Sequence, residues 1–387
     1  MFDLEAPPAS RVATPQARPA ASVALTGLAT AAPTHELRQP EVVRRVRALF
    51  GDRRLDIERL LPAFGNAGIE TRRSCVPIEW YLSPRSWKER TELFIDNAVE
   101  LLAEAAEKCL AEAGLPCDAI DGLVTVSTTG IATPSLEARL MERLPFRRDV
   151  ARLPIFGLGC AGGVLGLSRA AMLAQGLEQA RGSGRVLCLV VELCGLTFRA
   201  NDPSKSNVIA AALFGDGAAA VLLDAGKAKA PPGDKGGARR SGKGGTRLSL
   251  GAQGEYTWPQ SLDVMGWEVE NDGLGVVFSR DIPALIRERM GAASDRFLAR
   301  HGLTHADIDG YVCHPGGAKV VGALEEVFGL PDGGLAAARA VLRDYGNMSA
   351  VTVLFVLERL RRAGMQGRYL MTALGPGFTA GFQILEA

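Results

Sequence analysis

The chain repeats itself. The segment AGLPCDAIDGLVTV (113–126) is similar to RHGLTHADIDGYVCH (300–314), and Gly114, Leu115, Ile120, Asp121 and Gly122 recur 188 positions later. Each copy reads as a helix end, a turn and a buried strand. Two more echoes keep the same order. GCAGGVLGLSRAAML (159–173) parallels GNMSAVTVLFVLERL (346–360), each a Gly-led turn entering an apolar helix, which gives Cys160 and Asn347 equivalent places. GRVLCLVVEL (184–193) parallels GRYLMTALGP (367–376), both short apolar runs after a Gly-Arg turn. Helix and strand therefore alternate twice. Because the strands are apolar throughout, rather than at every second residue, they indicate mostly parallel sheets covered on both faces, a duplicated α/β layered sandwich with two pseudo-symmetric halves.

The halves are expected at 23–224 and 247–387. Residues 1–22 start with acidic residues, continue Pro- and Ala-rich, and lack the charged and apolar blocks of a signal peptide. They read as a disordered arm on a cytoplasmic protein. Residues 225–246 are dominated by Gly, Pro and positive charge, a composition with too little apolar surface to order itself, and read as a flexible basic insert at the junction.

Composition narrows the classes of function. The 387 residues are 47% hydrophobic, enough for two core-sized units. Lys plus Arg (44) nearly balance Asp plus Glu (43), so no global field draws nucleic acid or an anionic membrane. No apolar run reaches the roughly 18 residues of a membrane span. The seven Cys are an odd number without close paired spacing, which argues against a disulfide framework or a zinc ribbon.

Three residues carry candidate chemistry. Cys160 stands at a Gly-flanked strand-to-helix turn, where free N–H groups and the positive helix end favour a thiolate, although a free Cys is more often a buried small hydrophobe. Of four His residues, His314 alone ends an apolar run, in GYVCHPGG. Asn347 opens the helix matching that of Cys160, where it also fits an N-cap. The duplication brings all three toward one cleft. Cys, His and an amide suit thioester chemistry: imidazole takes the thiol proton, thiolate attacks the carbonyl, and side-chain donors hold the oxyanion or enolate.

The stretches GLGCAGG, TFR (197–199), ALFGDGAAAV, VCHPGG, YGNMSA and GPGF (375–378) resemble type III polyketide synthases, the chalcone-synthase-like family of the thiolase superfamily, from about residue 24 onward. The resemblance implies a thiolase-like fold, repeated αβαβα, and a decarboxylative Claisen condensation of malonyl-CoA onto an acyl-CoA starter held on Cys160. His314 and Asn347 would bind the malonyl thioester carbonyl. Phe214 and Phe278 would stand as gatekeepers between a CoA tunnel and the cavity. Ser349, Gly375, Pro376, Gly377 and Phe378 would belong to that cavity. Cys194, Gly195 and Thr197 would leave room for an aliphatic chain. Arg72 and Arg73 would meet the phosphates of CoA. The resemblance implies a homodimer, and no metal or redox cofactor is expected.

Residues 265–283 look like bacterial alkylpyrone and alkylresorcinol synthases, which favours a long fatty acyl starter and pyrone or resorcinol products. Thr133 departs from plant members, which resemble one another in placing Met there, so cavity shape near the dimer axis stays open. A β-ketoacyl-acyl-carrier-protein synthase III-like enzyme with a single condensation shares the triad, and a non-catalytic acyl-CoA-binding scaffold is the alternative of another class.

Overall fold

A computed structural model describes residues 23–51, 57–226 and 248–387. The expected arm at 1–22 and all but Ala225 and Gly226 of the expected insert lie outside them.

The described strands are β1 (Val23–Ala31), β2 (His35–Arg38), β3 (Thr71–Ser74), β4 (Gly122–Ser127), β5 (Ala151–Phe156), β6 (Arg185–Leu193), β7 (Asp216–Asp224), β8 (Leu248–Thr257), β9 (Met265–Glu270), β10 (Gly273–Phe278), β11 (Gly310–Cys313), β12 (Arg368–Gly375) and β13 (Thr379–Glu386). Nine of them form one sheet in the order β11-β12-β13-β8-β1-β7-β6-β4-β5. Outward from the central β8–β1 pair, β13 mirrors β7, β12 mirrors β6 and β11 mirrors β4. The sequence echoes therefore land on mirrored strands, and β5 is left as an edge with no counterpart.

The expectation of mostly parallel strands is corrected. Only β11–β12, β6–β4 and β4–β5 are parallel, and the other five neighbouring pairs are antiparallel. The physical reason is visible in β7, which is buried along its whole length yet antiparallel to both β1 and β6. A continuous apolar run reports two covered faces and carries no information on strand direction.

Those covers are helices. Trp87–Ala113 starts with a Ser86–Glu89 capping box and stops at Gly114, whose φ of 65° lies in the left-handed region open to glycine. It covers β1, β6 and β7 from one side. Gly162–Arg181 lies against β4 and β6 of the first half and β12 and β13 of the second. Its mirror helix Thr352–Arg362 and the turn before it meet it so closely that a Cβ on Gly163 would stand 2.6 Å from Val353 Cγ1 and 2.2 Å from the Ala350 carbonyl oxygen. The largest apolar cluster runs through this layer, so the halves share a core instead of touching across a seam.

Candidate active site

The nucleophile turn and its mirror have the same local form. Cys160 lies in the 3-10 turn Gly159–Ala161 ahead of helix Gly162–Arg181, and Asn347 precedes the 3-10 turn Ser349–Val351 ahead of helix Thr352–Arg362. Gly159 has φ 48°, and any Cβ there would collide with Pro376 Cδ at 2.4 Å. The GPGF loop thus clamps the turn from behind.

Cys160, His314 and Asn347 all line one cavity of about 730 Å³, together with Phe278, Leu213 and Leu374. Asn347 is buried; its Oδ1 accepts the Ser349 N–H at 2.8 Å and its Nδ2 donates to the Gly316 carbonyl at 3.2 Å. An amide nitrogen has two protons, so one donor is left for a ligand. His314 is 4% exposed, and neither ring nitrogen has a hydrogen-bond partner among the described residues. Burial pushes its pKa down to about 3, which keeps the imidazole neutral.

Cys160 is half-buried, and burial pushes its thiol up to about 12, against the Ser349 and Asn347 side chains that favour the thiolate. Glu192 adds to the rise. It is buried at the end of β6, where Oε2 accepts from the N–H of Thr128 (3.0 Å) and the N–H and hydroxyl of Thr129 (3.1 and 2.7 Å). Burial nevertheless raises the Glu192 carboxyl to about 7. Sequence reasoning missed Glu192, although a single carboxylate inside the apolar run VLCLVVEL was a signal.

The Phe214 and Phe278 rings are 5.6 Å apart, and Trp267 on β9 lies 5.7 Å from Phe214. Phe278 faces the triad cavity, whereas Phe214 lines a second, apolar cavity of about 60 Å³ with Cys194, Gly195 and Thr197. The pair is the wall between the two. Gly375, Pro376, Gly377 and Phe378 are not among the cavity-lining residues: Phe378 is fully buried against Trp258, 4.9 Å between rings, and the motif seats the Cys160 turn. Ser349, with φ 47°, lies beside Cys160.

Arg72 and Arg73 do not stand at the cavity mouth. Arg72 is 3% exposed and donates to the carbonyls of Ala212 (3.2 Å) and Phe214 (3.3 Å), while Arg73 pairs with Glu36 at 3.1 Å. A charged pair in a short strand reads as solvated, but only one of its two side chains points outward, because strand side chains alternate. The exposed cations that line the triad cavity are Lys205, Arg280 and Lys319.

Family models for the N-terminal and C-terminal domains of chalcone and stilbene synthases match residues 78–227 and 250–385. The chain belongs to the chalcone and stilbene synthase family. It is a type III polyketide synthase, an acyltransferase with the thiolase fold. The synthase is 37% identical over 364 residues to a chalcone synthase-like protein of Bacillus subtilis, covering 92% of this chain and 96% of the relative. It is 36% identical over 362 residues to the 1,3,6,8-tetrahydroxynaphthalene synthase of Streptomyces peucetius, covering 92% and 91%. The solved structure of the Streptomyces coelicolor 1,3,6,8-tetrahydroxynaphthalene synthase superposes with a TM-score of 0.82 at 26% identity, over 93% of this chain and 98% of that one. Among the described residues, no helix of the synthase is long and apolar enough to cross a membrane.

Proposed function

We propose that the synthase loads a long-chain acyl group from acyl-CoA onto Cys160, extends it with malonyl-CoA, and releases alkylpyrone or alkylresorcinol products. The observation that carries the catalytic part is one cavity holding a thiol, a neutral imidazole with both nitrogens unpartnered, and an amide with a spare donor. Burial penalises a lone thiolate and a lone imidazolium, but moving the proton from Cys160 to His314 creates both charges together and leaves net charge unchanged. The thiolate attacks the starter thioester, and CoA leaves as its thiol with the proton from His314. Malonyl-CoA then loses carbon dioxide, and the resulting enolate oxygen is held by donors on Asn347 and His314. The enolate carbon attacks the acyl carbonyl on Cys160 and frees its sulfur. No metal or redox group is needed in these steps, and Lys205, Arg280 and Lys319 suit the phosphates of CoA at the mouth.

Cys194, Gly195 and Thr197 line an apolar cavity beyond Phe214 that suits an aliphatic group, although at about 60 Å³ it takes a long chain only if its walls move. A second reading, a hydroxylated naphthalene product in place of an alkylated one, is favoured by the tetrahydroxynaphthalene synthase relative at 36% identity. We also propose a homodimer formed through the exposed edge strand β5. The test is incubation of purified protein with radiolabelled malonyl-CoA and a panel of acyl-CoA starters, beside Cys160→Ala, with products resolved by mass. Products whose mass follows the starter and which need Cys160 are expected. A starter-independent aromatic product would replace the long-chain reading with the second one, and single-condensation products would overturn both.

A further inference from the structure

The buried Arg72 is placed to control the wall between the two cavities. Its guanidinium reaches the C-terminal end of helix Lys205–Leu213, where Nη1 donates to the carbonyls of Ala211 and Phe214 and Nη2 to that of Ala212. These are the carbonyls a helix end leaves without intrahelical partners, and a cation there is also favoured by the helix dipole. Nη2 also meets the Gln39 side-chain oxygen, and Gln39 Nε2 donates to the Ala212 carbonyl at 3.1 Å.

The clamped segment leads straight into the site. Phe214 pairs with Asn347 as an isolated bridge: Asn347 N–H donates to Leu213 O at 2.8 Å, and Gly215 N–H to Asn347 O at 3.0 Å. The Arg72 stem lies directly behind it, since a Cβ on Gly215 would stand 3.3 Å from the Arg72 Cβ. On the far side of the bridge, Asp216 accepts the N–H of Gly195 (2.7 Å) and of Cys75 (2.9 Å), tying the wall to the turn that carries Cys194. Residues 211–216 are thus gripped by a buried cation before the gatekeeper and a buried carboxylate after it, and the Asp216 charge supports Arg72 against burial.

We propose that Arg72 is a positioning residue for chain extension, fixing the Phe214 ring and, through the bridge, the Asn347 amide. Arg72 borders the small apolar cavity proposed for the starter but does not line the cavity that holds Cys160, His314 and Asn347, so it acts on the reacting atoms only through the segment it grips. The inference rests on the polyketide synthase reading for its assay but not on the identity of the starter.

The test compares Arg72→Lys and Gln39→Leu with the wild type. Lysine keeps the charge and loses the fork, and Gln39→Leu leaves Arg72 in place but removes its side-chain partner. Folded protein, verified by near-ultraviolet circular dichroism and thermal melting, is assayed for kcat and KM with malonyl-CoA and for the number of extensions in the products. A displaced gatekeeper and amide lower kcat by about 10- to 100-fold with little change in KM and shift the product length. A purely structural role would lower melting temperature and leave kcat, KM and product length of the folded fraction unchanged, which overturns the proposal. Where Arg72→Lys does not fold, Gln39→Leu decides. Absence of polyketide from the wild type would refute the functional reading itself, whereas wild-type behaviour in the folded variants refutes the positioning role alone.

Discussion

Cys160 and His314 are each held neutral by burial, at about 12 and about 3, yet the proposed chemistry needs them charged together. That tension makes a sharp test at the scale of one residue. In the wild type the thiolate is paid for by the imidazolium, so alkylation by iodoacetamide should persist at pH 7. In His314→Gln the proton acceptor is gone while burial and Glu192 still oppose the thiolate against the Ser349 and Asn347 side chains, so alkylation at pH 7 should fall by about 100-fold or more. Raising the pH should restore the rate in the variant far more than in the wild type. Equal alkylation rates from pH 6 to 9 would mean that His314 does not take the Cys160 proton. That Cys160, His314 and Asn347 share one cavity was legible because each sits at a Gly-flanked break in an apolar pattern. Arg72 was not, because whether a strand side chain faces inward depends on what packs on each face, and a four-residue strand is too short to show an alternation.

At the scale of elements, the duplication was legible as three echoes, while strand direction was not, since burial on both faces looks alike in parallel and antiparallel ladders. What joins the halves is the approach of helices Gly162–Arg181 and Thr352–Arg362, and glycine permits it. Gly163→Ala puts a methyl group 2.2 Å from the Ala350 carbonyl and 2.6 Å from Val353 Cγ1, so the helices must part. Overpacking of this kind costs about 1–3 kcal/mol, and the mirrored turns of Cys160 and Asn347 move apart with it. Gly176 on the same helix is exposed, and a Cβ there meets nothing within 4 Å. Gly176→Ala should therefore stabilise by about 0.5–1 kcal/mol. Chemical denaturation of both variants checks the argument, and a neutral Gly163→Ala would show that the interhelix contact is loose.

At the scale of the molecule, the edge β5 is the place where the mirror symmetry breaks, and it carries exposed apolar side chains. Leu153 is 37% and Phe156 57% exposed, with Ile131 at 48%. Unprotected edges invite pairing, but Pro154 lacks an N–H and interrupts any long ladder, so a second copy should engage this face chiefly through side chains. The prediction is a mass near twice 41.0 kDa by light scattering at micromolar concentration, reduced to the single-chain mass by Phe156→Glu with the fold retained. Because β5 runs directly into residues 157–159 and the nucleophile turn, loss of the dimer should also loosen Cys160, and the monomeric variant should lose turnover even though Phe156 is not among the residues lining the triad cavity. A wild type that is monomeric, or a Phe156→Glu monomer with full activity, would separate the edge strand from the site and leave the GPGF clamp on Gly159 as the support that holds the nucleophile in place.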